Sequence, residues 1–174
     1  TIYYASMKNW EFLGYIAVLV FFFALILGTL KKTKFDYLIL WGLSTWGFLH
    51  MIGGGIRVND AVLYKYIFFN FFALEDVTIL RYDHVVHFFG FFMAALVVNH
   101  LLNFKLKSKE KSFIIYFVIV TAGMGLGALN EIVEFVASMT VESGVGGYVN
   151  NSLDLVFNTL GALCAALFVH LTKR

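Results

Sequence analysis

Apolar residues run along the chain in five long blocks, each close to the length that a helix needs to cross a bilayer. The hydrocarbon core is spanned by about 20 consecutive, mostly apolar residues. Blocks of that kind lie at about residues 12–30, 36–55, 82–102, 113–139 and 153–171. Polar segments separate them, such as KKTK after the first and NFKLKSKEKS after the third. The pattern predicts five transmembrane helices.

A further apolar stretch, residues 60–76 (DAVLYKYIFFNFFALED), is too short to be a sixth span. Lys65 and Asn70 interrupt it, and its apolar part covers only about 14 residues, where a spanning helix needs about 20. That length is typical of a helix that lies in the membrane interface or re-enters the bilayer. We therefore predict an interfacial or re-entrant helix on the outer surface.

Basic residues are distributed unequally between the two sides of the predicted spans. Of the 13 lysine and arginine residues, only Lys8, Arg57, Lys65 and Arg81 fall on one side, and the other nine fall on the opposite side. Cytoplasmic loops are enriched in lysine and arginine. The prediction is therefore an N-terminus outside, five crossings and a cytoplasmic C-terminus.

Composition supports a membrane protein and excludes several other classes. The chain is 60% hydrophobic and 14% charged, whereas soluble domains carry about 25% charged residues. A net charge of +2 does not indicate a nucleic-acid partner. Cys164 is the only cysteine in the sequence, which excludes an intramolecular disulfide and a zinc site of several thiolates. We predict one all-α integral membrane domain over residues 1–174, in contact with membrane lipid.

Ionisable and amide residues inside four of the predicted spans collect at one depth, near the predicted outer face. They are His50 in the second span, Asp83, His84 and His87 in the third, Glu131 and Glu134 in the fourth, and Asp154 and Asn158 in the fifth. A charged side chain at a helix centre costs roughly 2.5–3.5 kcal/mol on the insertion scale. Such residues usually face the bundle interior and mark a functional site. The sequence therefore predicts a His/carboxylate pocket that opens to the extracytoplasmic face.

Helical spacing places the polar residues on shared faces that continue as small residues. Asp83 and His87 are four positions apart, and Glu131 and Glu134 are three apart, so each pair lies on one side of its helix. The same faces continue as stripes of small residues, namely Gly47 and Gly54, Gly123 and Gly127, and Gly161 and Ala165. Small residues let membrane helices approach closely. We expect these faces to pack together below the pocket.

Imidazole and carboxylate groups together suit zinc, iron or manganese. One hypothesis is a metal-dependent enzyme acting on a lipid-linked or cell-envelope substrate, since a bound metal activates water for hydrolysis. Its metal ligands would be His50, His87, Glu131 and Asp154, its acid–base group Glu134 or Asp83, and its supporting residues His84, Asn158 and Arg81. No standard metal motif such as H-E-x-x-H occurs in the sequence.

Other functions fit the same residues. A buried carboxyl group beside a histidine supports acid–base chemistry without metal, and intramembrane ionisable residues also form proton or ion pathways. The main alternative is a non-catalytic accessory subunit of a larger membrane complex, in which the polar cluster only sets helix register. Whether the protein is an enzyme therefore stays open at the level of sequence.

Four motifs carry a resemblance to a known family. They are HMIGGG (50–55), RYDHVVHFFG (81–90), NEIVEF (130–135) and NNSLDLVFNTLGA (150–162). In this order they resemble the YjdF-like predicted inner-membrane proteins, which are similar to the VanZ-like proteins. The resemblance implies a bacterial or archaeal cytoplasmic membrane, a link to the cell envelope and a role for His50, Asp83, His87, Glu131, Glu134, Asp154 and Asn158. The stretch before the last helix, VGGYVNNS, is shorter than is usual in that family.

Overall fold

A computed structural model describes residues 10–69, 80–106, 112–140 and 147–174. These residues form five α-helices: α1 (Trp10–Thr33), α2 (Tyr37–Gly55), α3 (Tyr82–Leu106), α4 (Phe113–Thr140) and α5 (Tyr148–Thr172). Each predicted span corresponds to one helix, so the all-helical prediction is confirmed. The largest difference is at α5, which begins at Tyr148 and not at residue 153, because the polar NNS segment also adopts helical geometry.

Four of the five helices are long and apolar enough to cross a membrane. The spanning segments are Ile16–Thr33 in α1, Tyr82–Leu106 in α3, Phe113–Val136 in α4 and Tyr148–Thr172 in α5. The α2 helix is not among these segments; its 19 residues include Gly, Trp, Ser, Thr and His. The crossing by α2, and with it the predicted topology, stays a prediction.

The core of the molecule lies between α3, α4 and α5. Its fully or nearly fully buried side chains are Met93, Ala95, Leu96, Ile119, Ala162, Ala165 and Val169. The α2 helix packs on the other side of α3, and α1 packs only lightly against α2. Most apolar side chains of α1, including Phe21 and Leu27, are exposed. Such a surface suits contact with lipid tails.

Small residues allow the closest approaches between the three core helices. A side chain at Gly161 would collide with the backbone of α3, at the carbonyl oxygen of Phe88. Gly123 faces Ala162, and Gly127 faces Asn158. The expected packing of the α4 and α5 small-residue faces is therefore confirmed.

The glycine face of α2 packs elsewhere than expected. Gly47 lies against Leu19 and Phe23 of α1, on the side of α2 away from the core. The bulky Trp46 indole packs instead near Gly90 of α3. Since Gly90 has no side chain, it leaves room there for the indole, and this pairing sets the rotation of α2.

The segment after α2 differs from the predicted interfacial helix. Strands β1 (Arg57–Val58) and β2 (Ala61–Val62) form a hairpin, followed by a 3₁₀ turn at Leu63–Lys65. The prediction is therefore wrong for residues 60–69, and residues 70–76 lie outside the described part of the chain. The reason is local: Asn59 and Asp60 both adopt positive φ, 50° and 64°. Asn and Asp tolerate that conformation, which a two-residue hairpin turn requires.

Candidate functional site

Three helices bring their polar residues to one end of the core. Because α3 and α5 begin at this end and α4 finishes there, the first turns of two helices meet the last turns of the third. The buried polar side chains are His84 and His87 from α3, Glu131 from α4, and Asn150, Asp154 and Asn158 from α5. A buried His/carboxylate cluster, as the sequence predicts, is confirmed.

His87 lies at the centre of the cluster, and its Nδ1 atom faces two oxygen atoms. Asn158 Oδ1 is 3.1 Å away and Glu131 Oε1 is 3.3 Å away. The Asn158 amide nitrogen donates to the same Glu131 oxygen at 3.2 Å, which fixes the orientation of the amide. Since both groups around Nδ1 are acceptors, Nδ1 carries a hydrogen. In the neutral imidazole the lone pair is therefore on Nε2.

The Nε2 atom of His87 faces carboxylates from two helices. It lies 3.5 Å from Asp83 Oδ1 and 4.0 Å from Glu134 Oε1. Both distances exceed the 2.7–3.2 Å of an ordinary N–H···O hydrogen bond. Two ligand atoms that bind one zinc ion at about 2.1 Å each lie about 3–4 Å apart. The spacing is therefore that of ligands around a common ion.

Two overlapping sets of side chains have the spacing of metal ligands. Asp83, His87 and Asp154 form one set, and His87, Glu131 and Glu134 form the other. Within each set the ligand atoms lie within 4.8 Å of one another. Among the described residues, His87 is the one member that the two sets share.

Asp154 is fully buried, and only one of its oxygen atoms is satisfied. Oδ2 accepts a hydrogen bond from Asn150 at 2.5 Å, whereas Oδ1 has no hydrogen-bond partner. A buried polar atom without a partner costs roughly 1–3 kcal/mol, and more where the group is charged. Oδ1 faces the Nε2 atom of His84 at 3.8 Å, an atom that also has no hydrogen-bond partner among the described residues, so this end of the carboxylate is left short of a close donor or cation.

His84 faces Asp154 and is unsuited to bind metal through its Nε2 atom. Its Nδ1 accepts a hydrogen bond from the backbone nitrogen of Arg81 at 3.2 Å, so the proton of the neutral ring is on Nε2. Nε2 lies 3.8 Å from Asp154 Oδ1, and the ring stacks on Phe157 with centroids 4.6 Å apart. His84 therefore lines the closed side of the cluster.

The cluster opens on the side of Asp83 and Glu134. Their side chains are 20% and 23% exposed, whereas Asp154 and Asn158 are fully buried. Glu134 accepts a hydrogen bond from Asn130 at 2.7 Å, which holds its carboxylate toward this opening. A small molecule that enters here meets Asp83, Glu134 and His87 Nε2 before the buried carboxylates.

His50 lies outside both sets of metal-ligand side chains in the described part of the chain. Its Nδ1 is 2.6 Å from the hydroxyl of Tyr64, and its ring stacks on Trp46 with centroids 5.4 Å apart. The Tyr64 hydroxyl also donates to the His50 carbonyl oxygen at 2.8 Å. These contacts of His50 join α2 to the 3₁₀ turn.

Three asparagines complete the site but were not among the residues selected from the sequence. Asn130 and Asn150 donate to Glu134 and Asp154, each four residues further along its helix, and Asn151 donates to Glu131 Oε2 at 3.3 Å. The four-residue spacing between amide and carboxylate is a sequence signal that identifies the first two. No comparable signal identifies Asn151, because its partner is on another helix.

Comparison with known protein families identifies the family of this chain. A family model described as "Predicted membrane protein (DUF2238)" matches residues 1–174. The chain belongs to this family. Membership in the DUF2238 family agrees with the apolar helices of the fold and is consistent with the resemblance to YjdF-like proteins. No curated protein and no solved structure matches the chain.

Proposed function

We propose that this DUF2238 member is a multi-pass protein of a bacterial or archaeal cytoplasmic membrane that binds a divalent metal ion in a pocket open to the outer face. The observation that carries the proposal is the two-sided environment of His87. Two hydrogen-bond acceptors face Nδ1, and two carboxylates lie near Nε2. Metal-binding histidines commonly have this arrangement, in which the second ring nitrogen donates to a carboxylate or carbonyl.

The ligands that fit best are His87 Nε2 and the carboxylates of Asp83 and Asp154. Glu131 then acts on the metal indirectly, because its carboxylate faces the other nitrogen of His87. This division of roles differs from the sequence-based hypothesis, which gave Glu131 and His50 direct bonds to metal. One imidazole with carboxylate oxygens suits manganese, iron or zinc.

Glu134 is the best acid–base group beside such a metal. It is on the open side of the cluster, 4.0 Å from His87 Nε2, where an incoming substrate would meet it. A bound metal lowers the pKa of coordinated water and so supplies a nucleophile at neutral pH. We propose that Glu134 moves a proton to or from a lipid-linked or cell-envelope substrate. A functional connection to VanZ-like proteins is part of this proposal.

The outward orientation rests on charge. If the five spans cross as predicted from the sequence, nine of the 13 basic residues fall on the side opposite the cluster, and the positive-inside rule makes that side cytoplasmic. The five-span topology needs α2 to cross as well. The short link of residues 34–36 supports this crossing, because it returns the chain directly from the end of α1 into α2.

Elemental analysis of the full chain, extracted gently from its native membrane, tests the proposal. We expect about one equivalent of manganese, iron or zinc per chain, lost in His87→Gln and Asp83→Asn. His170→Gln is the matched control, since His170 is an exposed histidine paired with Tyr116. Thermal unfolding in detergent verifies that each variant is folded. Metal-free wild-type protein with stable companion subunits would instead support the accessory-subunit alternative.

A further inference from the structure

Arg81 borders the cluster, yet within the described part of the chain it forms no ion pair. Within the described residues, no carboxylate oxygen lies within the 4.0 Å of a salt bridge from its guanidinium group. Its Nη1 donates to the neutral side chain of Asn150 at 3.0 Å, and its Nε is buried without a hydrogen-bond partner. A guanidinium group beside several carboxylates normally pairs with one of them. Among the described residues, therefore, no carboxylate pairs with the charge of Arg81.

The position of Arg81 is fixed by contacts that do not consume this charge. Its backbone forms an antiparallel bridge with Ile67, and its backbone nitrogen donates to His84. Asn150 connects the guanidinium to both proposed carboxylate ligands, since its amide nitrogen donates to Asp154 Oδ2 at 2.5 Å and lies 3.3 Å from Asp83 Oδ2. One amide group thus separates the cation of Arg81 from the proposed metal.

We propose that the pocket binds a phosphate group that bridges the metal ion and Arg81. This inference rests on the proposed function, because it requires the metal. Phosphate offers several oxygens, of which one suits a hard divalent cation and others suit the planar fork of arginine. Arg81 would contact one side of the anion and the ion the other, with Asn150 between them, and the partly exposed carboxylates of Asp83 and Glu134 mark the open side.

The charges around the site determine the order in which metal and phosphate bind. Asp83, Glu131, Glu134 and Asp154 place four carboxyl groups around one site, and Arg81 alone does not offset their repulsion of an anion. Phosphate binding is therefore conditional on prior metal binding. The unpartnered Oδ1 of the fully buried Asp154 is an independent indication that a cation belongs in the cluster.

The ligand is either free phosphate or the phosphate of a lipid, and both present the same chemistry. Isothermal titration of the manganese-loaded full chain in detergent, with inorganic phosphate and with dodecyl phosphate as probes, distinguishes the two. A lipid source is indicated if dodecyl phosphate binds at least about tenfold more tightly than inorganic phosphate. Comparable affinities indicate free phosphate. Dodecanoate, which has the same chain length and a carboxylate, serves as the control for charge and hydrophobicity.

The expected result is metal-dependent binding of one probe, weakened about tenfold or more by Arg81→Gln. Arg57→Gln is the matched control, because Arg57 is an exposed arginine of the same loop region that donates to the Asp60 carbonyl, and it should change affinity less than twofold. Manganese titration on each variant separates the two proposals. Three results would overturn the phosphate site and leave the metal site standing. They are manganese binding without phosphate binding, dodecanoate binding as tight as that of dodecyl phosphate, and a phosphate affinity that Arg81→Gln does not change. Absent binding of manganese, iron and zinc alike overturns both.

Discussion

His87 of α3 and Glu131 of α4 face each other inside the helix bundle, with Nδ1 3.3 Å from Oε1. Asn158 of α5 contacts both side chains at 3.1 and 3.2 Å. Three helices are thus joined through one imidazole ring. The contact also determines which nitrogen of His87 is directed at Asp83, and the proposed chemistry depends on that orientation.

Glu131→Gln is expected to weaken metal binding without removing it. The substituted amide still fills the space beside Nδ1 but no longer supplies a carboxylate, and loss of such an outer partner typically reduces metal affinity about 10–100-fold. Competition titration with a chromophoric chelator measures the effect. A loss as complete as that of His87→Gln would show that Glu131 is itself a ligand.

His50→Gln is expected to retain the metal. His50 bonds to Tyr64 and stacks on Trp46, so the change removes contacts between α2 and the 3₁₀ turn. Tyr64→Phe removes the same hydrogen bonds from the other side and should cost about 1 kcal/mol of stability. Both variants should therefore unfold earlier on heating while their metal content is unchanged. Loss of the metal in a folded His50→Gln variant would indicate that His50 is a metal ligand.

Gly161→Ala is expected to destabilise the bundle by about 1–3 kcal/mol, the usual cost of overpacking. The new methyl group would press against the α3 backbone at Phe88, which cannot move away as a side chain would. Gly125→Ala is the control, because no atom lies within 4 Å of the added carbon at that exposed position. Removing a helical glycine there should be neutral or slightly stabilising. Equal stability of the two variants, measured by unfolding in mixed micelles, would contradict the close contact of α3 with α5.

Cysteine labelling tests the topology. In a Cys164→Ala background, Asn59→Cys places a thiol at the exposed hairpin turn, and Lys34→Cys places one in the link between α1 and α2. The five-span topology predicts that a membrane-impermeant maleimide labels Asn59→Cys in intact spheroplasts and Lys34→Cys only after permeabilisation. Labelling of both from the same side would mean that α2 does not cross.

Much of the architecture follows from the sequence because its signals are long. Apolar runs near 20 residues leave a helix as the favoured structure in lipid, and each of the five runs is a helix. The meeting of Asp83, His87, Glu131 and Asp154 also follows, since burying costly side chains singly is unfavourable. Their shared depth and helical phase were sufficient to select them.

The remaining features depend on short-range packing that a hydropathy pattern does not contain. Which face of α2 meets α3 is decided by the fit of the Trp46 indole at Gly90, and this rotation directs His50 to Tyr64. The hairpin at residues 57–62 depends on two residues with positive φ, Asn59 and Asp60. The different surroundings of the two nitrogens of His87 involve three helices at once.

X-ray absorption spectroscopy at the zinc edge, on the zinc-loaded full chain, tests the central claim most directly. The first coordination shell should contain one imidazole nitrogen and otherwise only oxygen, and His87→Gln should abolish the imidazole signal. Two or more imidazoles in that shell, a sulfur ligand, or an imidazole signal that survives His87→Gln would contradict a metal held by Nε2 of His87 among carboxylates.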